Sequence, residues 1–173
     1  MKENLTAIKD EILLALLPDV PFDGWTWEGA QAACIRAGHD EDMARAVFPG
    51  GLHDVAGHFA DWADREMLAR LKDVDIEALR VRDRVRDAVM TRIWILQEHR
   101  EAEKMALSYW ALPPHSLRAG KVLWRTADRI WDWAGDTATD YNRYTKRGLL
   151  SGVISATMMA IPTHRSGRPR TWL

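Results

Sequence analysis

The sequence predicts an all-α protein. β-branched residues do not alternate with polar ones over a strand length, whereas apolar residues recur three and four positions apart along most of the chain. Proline and glycine stand between these periodic stretches, where helices end. The 173 residues are 47% apolar and 28% charged, which is the composition of a globular domain with one core.

Three helices are expected before residue 50. Two of them begin at a residue whose side chain can cap a helix, and each ends at proline or glycine. The expected helices run from residue 5 to Pro18 and Pro21, from the cap Thr26 to Gly38, and from the cap Asp40 to Pro49. The second and third are joined by a tight turn, so residues 1–50 are expected to form a helix-turn-helix-like head.

Five further helices are expected after residue 51. The first runs from Leu52 to Leu71, the second from the cap Asp75 to Glu98, and the third from there to Trp110 or Ala111. The fourth runs from the cap Ser116 to Trp133 and is closed by Gly135. The fifth runs from the capping-box sequence at 137–140 to Ile161. The last is apolar or small all round from Gly148 on, so it is expected to be buried on most sides. Such a helix indicates a dimer interface, a ligand cavity or a plain central core helix, and the pattern does not choose among them.

The net charge of −1 conceals two halves of opposite sign. Residues 1–80 carry a net charge of −8 and residues 81–173 carry +7. Residues 24–50 hold two arginines and four acidic residues. A DNA-binding surface needs an excess of basic residues, because it neutralises the DNA phosphates. The shape of the head is that of a DNA-binding regulator, but its charge predicts that it repels DNA.

No catalytic or metal-binding motif occurs in the sequence. Phosphate loops, nucleophile elbows, dinucleotide fingerprints and Glu-x-x-His pairs are missing, and one cysteine excludes an internal disulfide. Cys34 is interpreted as a buried structural thiol. The run Arg80–Asp87 alternates charge along a helix, which favours a self-paired, solvated face over a lipid-headgroup site. Nine tryptophans indicate a large core, an apolar pocket or an interface.

The stretch Gly135–Arg147, which reads GDTATDYNRYTKR, resembles a known family. Ubiquinone-biosynthesis accessory proteins of the Coq-nine family carry Gly-Asp-x-Ser/Thr-Thr-Asp-Phe-Asn-Trp-Tyr-Thr-Lys/Arg-Arg there. Shorter similar stretches follow the same order along most of the chain: PFDGWT at 21–26, FPGG at 48–51, HFADW at 58–62 and LWRTAD at 123–128.

The resemblance implies a fold like that of the tetracycline-repressor family and a homodimer built on the last two long helices. It implies that residues 51–161 form a lipid-binding and dimerisation bundle, continuous with the head, and that 162–173 form a basic tail. It also implies an apolar pocket for an isoprenoid quinone lipid, and a di-iron demethoxyubiquinone hydroxylase as partner. The family is not known as catalytic, so no enzymatic activity and no cofactor are expected.

The apolar faces of the last four helices supply the expected pocket. The residues expected to line it are Trp94, Leu107, Trp110, Leu123, Trp124, Ala127, Leu150, Ile154 and Met158. The residues carried over from the family motif for the hydroxylase surface are Asp136, Thr139, Asp140, Asn142, Tyr144 and Arg147. Asp140 can equally serve as a helix cap.

The chain departs from the family pattern at two places. Arg143 stands where members carry tryptophan, so only Tyr144 remains of an aromatic pair. Members continue into an amphipathic membrane helix, of which Thr171-Trp172 resembles the start. Arg165, Arg168 and Arg170 predict weak contact with anionic lipid.

Together these observations predict a non-enzymatic accessory protein that binds an isoprenoid quinone intermediate and presents it to the hydroxylase. The expected location is the bacterial cytoplasm, with peripheral contact at the inner membrane, because no signal peptide or membrane-spanning stretch is recognised. The alternative is a ligand-responsive DNA-binding regulator of the tetracycline-repressor type. The acidic head argues against that alternative and against any nucleic-acid partner.

Overall fold

The fold is a bundle of α-helices, which confirms the predicted all-α class. The computed structural model describes residues 2–136 and 141–160. Its helices are α1 (Lys2–Leu16), α2 (Val20–Asp23), α3 (Trp27–Arg36), α4 (Glu41–Val47), α5 (Leu52–Arg70), α6 (Val81–Glu98), α7 (Arg100–Ala111), α8 (Ser116–Trp133) and α9 (Tyr141–Ala160). Short 3-10 turns lie at Ile76–Ala78 and Pro113–His115, and no strand occurs in the described residues. The closer likeness to the tetracycline-repressor family stays a prediction.

The N-terminal helices lie where they were predicted, with one addition. The Thr26 hydroxyl caps α3 by accepting a hydrogen bond from the Gly29 amide at 3.1 Å, and Gly38 follows the helix with φ 86°. Asp40 occupies the N-cap position of α4 as predicted, but its side chain makes no capping hydrogen bond. The additional helix α2 holds Pro21 in its first turn, where the missing N–H has no intrahelical partner to lose.

Helix α5 forms the centre of the core. Ala56, Phe59, Ala63 and Met67 recur at helical spacing and are all buried. This face allows α5 to pack against α1, α6 and α8. One cluster of buried apolar side chains extends from α1 to α9, so the N-terminal helices and the bundle share a single core.

Two later helices begin differently from the prediction. Asp75 caps only the turn Ile76–Ala78, by accepting from the Glu77 amide at 3.2 Å, and α6 starts at Val81. Ser116 is the first residue of α8 rather than its cap, and its hydroxyl donates to the Pro113 carbonyl at 3.0 Å. Pro113 and Pro114 begin the 3-10 turn that leads directly into α8.

The predicted thiol and the charged run are largely confirmed. Cys34 is fully buried, and its Sγ donates to the Asp40 carbonyl at 3.2 Å. Within the run, Arg86 pairs with Asp83 at 3.3 Å and with Asp87 at 3.0 Å. Arg84 differs, because it donates to the Ala134 carbonyl at 3.1 Å and so ties α6 to the end of α8.

Helix α9 is not buried on most sides, which corrects the prediction. Leu150 and Ile154 face α8 and are buried, whereas Leu149 and Val153 are 69% and 54% exposed. Gly148 and Gly152 lie on the same outer face. The uniform apolar pattern therefore produces one buried face and one exposed apolar face, and residues 161–173 lie outside the described part of the chain.

Candidate functional site

An apolar cavity lies between α5, α6, α7 and α8, with one residue from α9. Its volume is about 170 Å³. Small residues of α5 and α7 leave the space, because alanine side chains face the gap between larger apolar ones. The lining residues are Ala56, Phe59, Ala60, Arg92, Leu96, Glu103, Ala106, Leu107, Trp110, Ala111, Ala119, Val122, Leu123, Thr126 and Ser155.

The cavity has an inner end and an outer end. Phe59, Leu96 and Ala106 are at most 5% exposed, and they mark the inner end. Ala111 is exposed, and Ala119 is partly so, which places the outer end beside the turn between α7 and α8. The most exposed part of the lining therefore lies beside the α7–α8 turn.

Charged and polar groups lie at the inner end. Arg92, Glu103 and Thr126 line the cavity and are 4%, 7% and 0% exposed. Asp64 lies behind them, fully buried, and its carboxylate accepts from Arg92 Nε at 2.7 Å and from the Thr126 hydroxyl at 2.9 Å. Arg129 adds a second cation at 3.3 Å from Asp64. Asp64 is thus satisfied by its neighbours, as a buried carboxylate must be.

Glu103 has no comparable set of partners. Burial raises its pKa to about 7, and the charge of Arg92 opposes that rise only in part. No hydrogen bond to Glu103 from the described residues contributes to this shift. The cavity therefore ends in a buried carboxyl group that holds its proton to a higher pH than an exposed glutamate does, and that faces the space a ligand would occupy.

The expected pocket residues fall into three groups. Leu107, Trp110 and Leu123 line the cavity. The buried residues Ala127, Leu150 and Ile154 belong to the core and are outside the described lining. Trp94 and Trp124 are 47% and 38% exposed and do not line the cavity. The side chain of Met158 lies outside the described residues.

Sequence reasoning missed the polar end because it searched only for apolar side chains. Glu103 lies three residues before Ala106 and four before Leu107, the spacing that places residues on one helix face. Arg92 has the same relation to Leu96. A charge at these positions of an apolar face was the signal that would have revealed both residues.

The expected partner-binding residues divide between the surface and the interior. Asn142 is exposed and Tyr144 is 63% exposed. Arg147 is only 1% exposed, and the Asp136 side chain is 5% exposed, so neither has much surface to offer a partner. Thr139 and Asp140 lie outside the described residues, as does the capping box that contains them.

Arg147 instead holds α9 against α8 through three carboxylates. Its guanidinium lies 3.1 Å from Asp132 and 3.1 Å from Asp136, and it also binds Asp128. These contacts depress the pKa of Asp128, although burial acts in the opposite direction. Arg143 reaches the same Asp128 at 3.4 Å, so the arginine that replaces the family tryptophan joins this network.

An aromatic pair lies on the surface beside this network. The rings of Trp124 on α8 and Tyr144 on α9 have their centroids 6.1 Å apart. Both side chains are exposed. The motif therefore contributes Tyr144 to a surface that Trp124 extends, whereas Asn142, two residues earlier on α9, projects from a different side of the helix.

Neither a membrane-spanning helix nor a metal site occurs in the described residues. No helix in residues 2–136 and 141–160 is long and apolar enough to cross a membrane. Within the same residues, no group of three or more His, Cys, Asp or Glu side chains is placed to hold a metal ion.

The fold and cavity define an all-helical protein with an apolar cavity that ends in a buried acid. A family model described as COQ9 matches residues 117–172, which include most of α8 and all of α9. This is the family that the Gly135–Arg147 stretch resembles. The resemblance is thereby confirmed.

Curated relatives extend the similarity to most of the chain. "Ubiquinone biosynthesis protein COQ9, mitochondrial" of Rattus norvegicus is 29% identical over 92% of this chain and 53% of the relative. The proteins of that name from Homo sapiens and Drosophila melanogaster are 28% and 25% identical, over 92% and 98% of this chain and 52% and 53% of the relatives. The chain thus spans about half the length of the curated relatives it matches.

Proposed function

We propose that the protein is a non-enzymatic, lipid-binding accessory protein of ubiquinone biosynthesis. It binds an isoprenoid quinone intermediate in the cavity between α5, α6, α7 and α8 and presents it to the di-iron demethoxyubiquinone hydroxylase. The observation that carries the proposal is the apolar cavity wall formed by Leu107, Trp110 and Leu123. The similar proteins from Rattus norvegicus and Homo sapiens are named as ubiquinone biosynthesis proteins, which supports the pathway.

The size of the cavity determines how much of a lipid it holds. A volume of about 170 Å³ suits one ring or the end of an isoprenoid chain. Each Å² of apolar ligand surface that leaves water contributes about 25 cal/mol. The enclosed part of the lipid therefore binds without specific polar chemistry along the apolar walls, while a longer tail continues out past the α7–α8 turn.

The surface around Trp124 and Tyr144 is the proposed hydroxylase contact. Exposed aromatic side chains provide large contact area and are enriched where proteins bind one another. In this proposal the buried ion pair between Arg147 and Asp136 fixes the position of α9, so that Tyr144 stays beside Trp124. Replacing Tyr144 with alanine is expected to weaken hydroxylase binding severalfold with no loss of helix content.

The exposed apolar face of α9 is proposed to pair with a second copy of the chain. Leu149 and Val153 project from it, and Gly148 and Gly152 allow close approach between helices. A face of this kind is self-complementary about a two-fold axis, which is the commonest oligomer symmetry. Peripheral contact with the inner membrane through the arginines of 162–173 completes the proposal.

The function is tested in bacterial cells that lack the protein. Wild type, Ala119→Trp and Trp94→Phe are expressed in turn, and ubiquinone and demethoxyubiquinone are quantified. Ala119→Trp fills the outer end of the cavity, so demethoxyubiquinone is expected to accumulate. Trp94→Phe changes a large side chain outside the lining and is expected to behave as wild type. Full ubiquinone synthesis by a folded Ala119→Trp variant would contradict lipid binding in this cavity.

The DNA-binding alternative draws on the arrangement of α3 and α4, which a tight turn joins. The candidate recognition helix α4 carries Glu41 and Asp42 against Arg45, so its charge opposes binding to phosphate. A mobility-shift assay on random duplex DNA at low salt is expected to show no retained band. A retained band would favour the regulator.

A further inference from the structure

We propose that the inner end of the cavity receives a hydroxylated aromatic ring, with Glu103 as the acceptor for the ring hydroxyl. The ligand class is a phenol or hydroquinone that carries an apolar tail, and it enters ring first. This inference rests on the proposed function and deepens it, because it assigns the polar contact that orients the lipid.

The direction of entry follows from the exposure of the lining. The side chains of Glu103 and Arg92 are 7% and 4% exposed, so the polar groups lie at the closed end. The outer end carries Ala111, Ala119 and Val122, which are apolar and more exposed. A lipid that entered tail first would place hydrocarbon against a buried carboxyl group and its polar ring among alanines. Ring-first entry places the polar ring beside the polar inner end and the apolar tail beside the apolar outer end.

The choice of Glu103 as acceptor follows from the bonds that its neighbours already make. Arg92 Nε and the Thr126 hydroxyl both donate to Asp64, at 2.7 Å and 2.9 Å. Asp64 is fully buried behind the lining, whereas Glu103 lines the cavity itself. Glu103 is thus the carboxyl group placed to meet a ligand. The Glu103 carboxyl group faces the cavity, so a ligand hydroxyl group that reaches it gains a hydrogen bond that hydrocarbon cannot make.

The volume of the cavity supports a ring as the group that is recognised. About 170 Å³ is close to the size of cavities that hold one benzene-sized molecule. Phe59 and Trp110 supply aromatic surface on α5 and α7 for such a ring.

The inference is tested with two small probes of nearly equal shape, 4-butylphenol and butylbenzene. Their dissociation constants for the purified full chain are measured at pH 8 by titration calorimetry. Wild type is expected to bind the phenol roughly tenfold more tightly, since one buried hydrogen bond separates the two complexes. Glu103→Leu is expected to bring the ratio close to one while butylbenzene still binds.

Glu101→Leu is the matched control, because Glu101 is exposed on the same helix, two residues from Glu103. It is expected to keep the wild-type ratio. Glu103→Gln serves if the leucine variant does not fold, since the uncharged amide is a weaker acceptor and lowers the ratio severalfold. An unchanged ratio in either Glu103 variant overturns the inference.

The outcomes separate this inference from the proposed function. If wild type binds both probes equally, the cavity holds apolar ligands but Glu103 does not recognise a hydroxyl, and only the inference fails. If a folded wild-type protein binds neither probe, the cavity takes no such ligand and the lipid-binding proposal fails with it.

Discussion

Replacing Glu103 with glutamine should make the protein more stable, and the gain should depend on pH. In the unfolded chain this carboxyl group ionises near its ordinary pKa of 4.5, whereas burial raises its pKa in the folded protein to about 7. Between these values the folded protein binds more protons than the unfolded chain, so the wild type loses stability as pH rises. Glutamine has no proton to lose, so the variant escapes this loss.

The size of the effect follows from the separation of the two pKa values. A shift of this size corresponds to roughly 3 kcal/mol in the free energy of unfolding once pH exceeds 7. The advantage of Glu103→Gln over wild type should therefore be smallest near pH 4.5, grow through pH 7 and stay constant above it. Arg92, the charged neighbour that opposes the shift, is unchanged in the variant.

The assay is urea denaturation at several pH values from 5 to 8, followed by tryptophan fluorescence. Glu101→Gln is the control, because an exposed glutamate is expected to give a difference in unfolding free energy that does not vary with pH. A Glu103→Gln variant whose difference from wild type is flat between pH 5 and 8 would refute the reasoning. So would one that is less stable than wild type at pH 8.

Three further predictions concern other parts of the fold. Arg147→Met removes a buried cation from three carboxylates and is expected to lower the free energy of unfolding by about 2–3 kcal/mol in urea denaturation. The control Arg82→Met, at an exposed arginine, is expected to change it by less than ~0.5 kcal/mol. Equal effects of the two substitutions would contradict the structural role of Arg147. Val153→Glu is expected to convert a dimer into a folded monomer in sedimentation experiments, and a variant that stays dimeric would place the interface elsewhere. Cys34 is expected to react with a thiol reagent only when the protein opens, so labelling should accelerate with urea, and rapid labelling of the native protein would contradict its burial.

The helices could be predicted because their ends are encoded locally. Thr26 and Gly38 bound α3 through a cap and a positive φ, which need only neighbouring residues. Local signals were misleading where several turn types suit the same residue. Asp75 can cap either a 3-10 turn or an α-helix, and the sequence alone does not choose between them.

The site was harder to predict because it depends on contacts between distant parts of the chain. Leu107, Trp110 and Leu123 were expected from the apolar faces of their helices, and they line the cavity. Trp124 has the same apolar character, yet it lies on the surface beside Tyr144, because that position of α8 meets α9 and not α7. The burial of Arg147 likewise depends on carboxylates that lie 11 to 19 residues earlier, an arrangement that only the packing of α8 and α9 brings about.

The central claim is that this fold carries an isoprenoid quinone intermediate. Native mass spectrometry of the purified protein, followed by organic extraction and identification of the bound lipid, tests it most directly. The account predicts a dimer that retains an isoprenoid quinone species, with less retained by Ala119→Trp than by Trp94→Phe. A folded wild-type protein that carries no lipid, or that carries equal amounts in both variants, would contradict it.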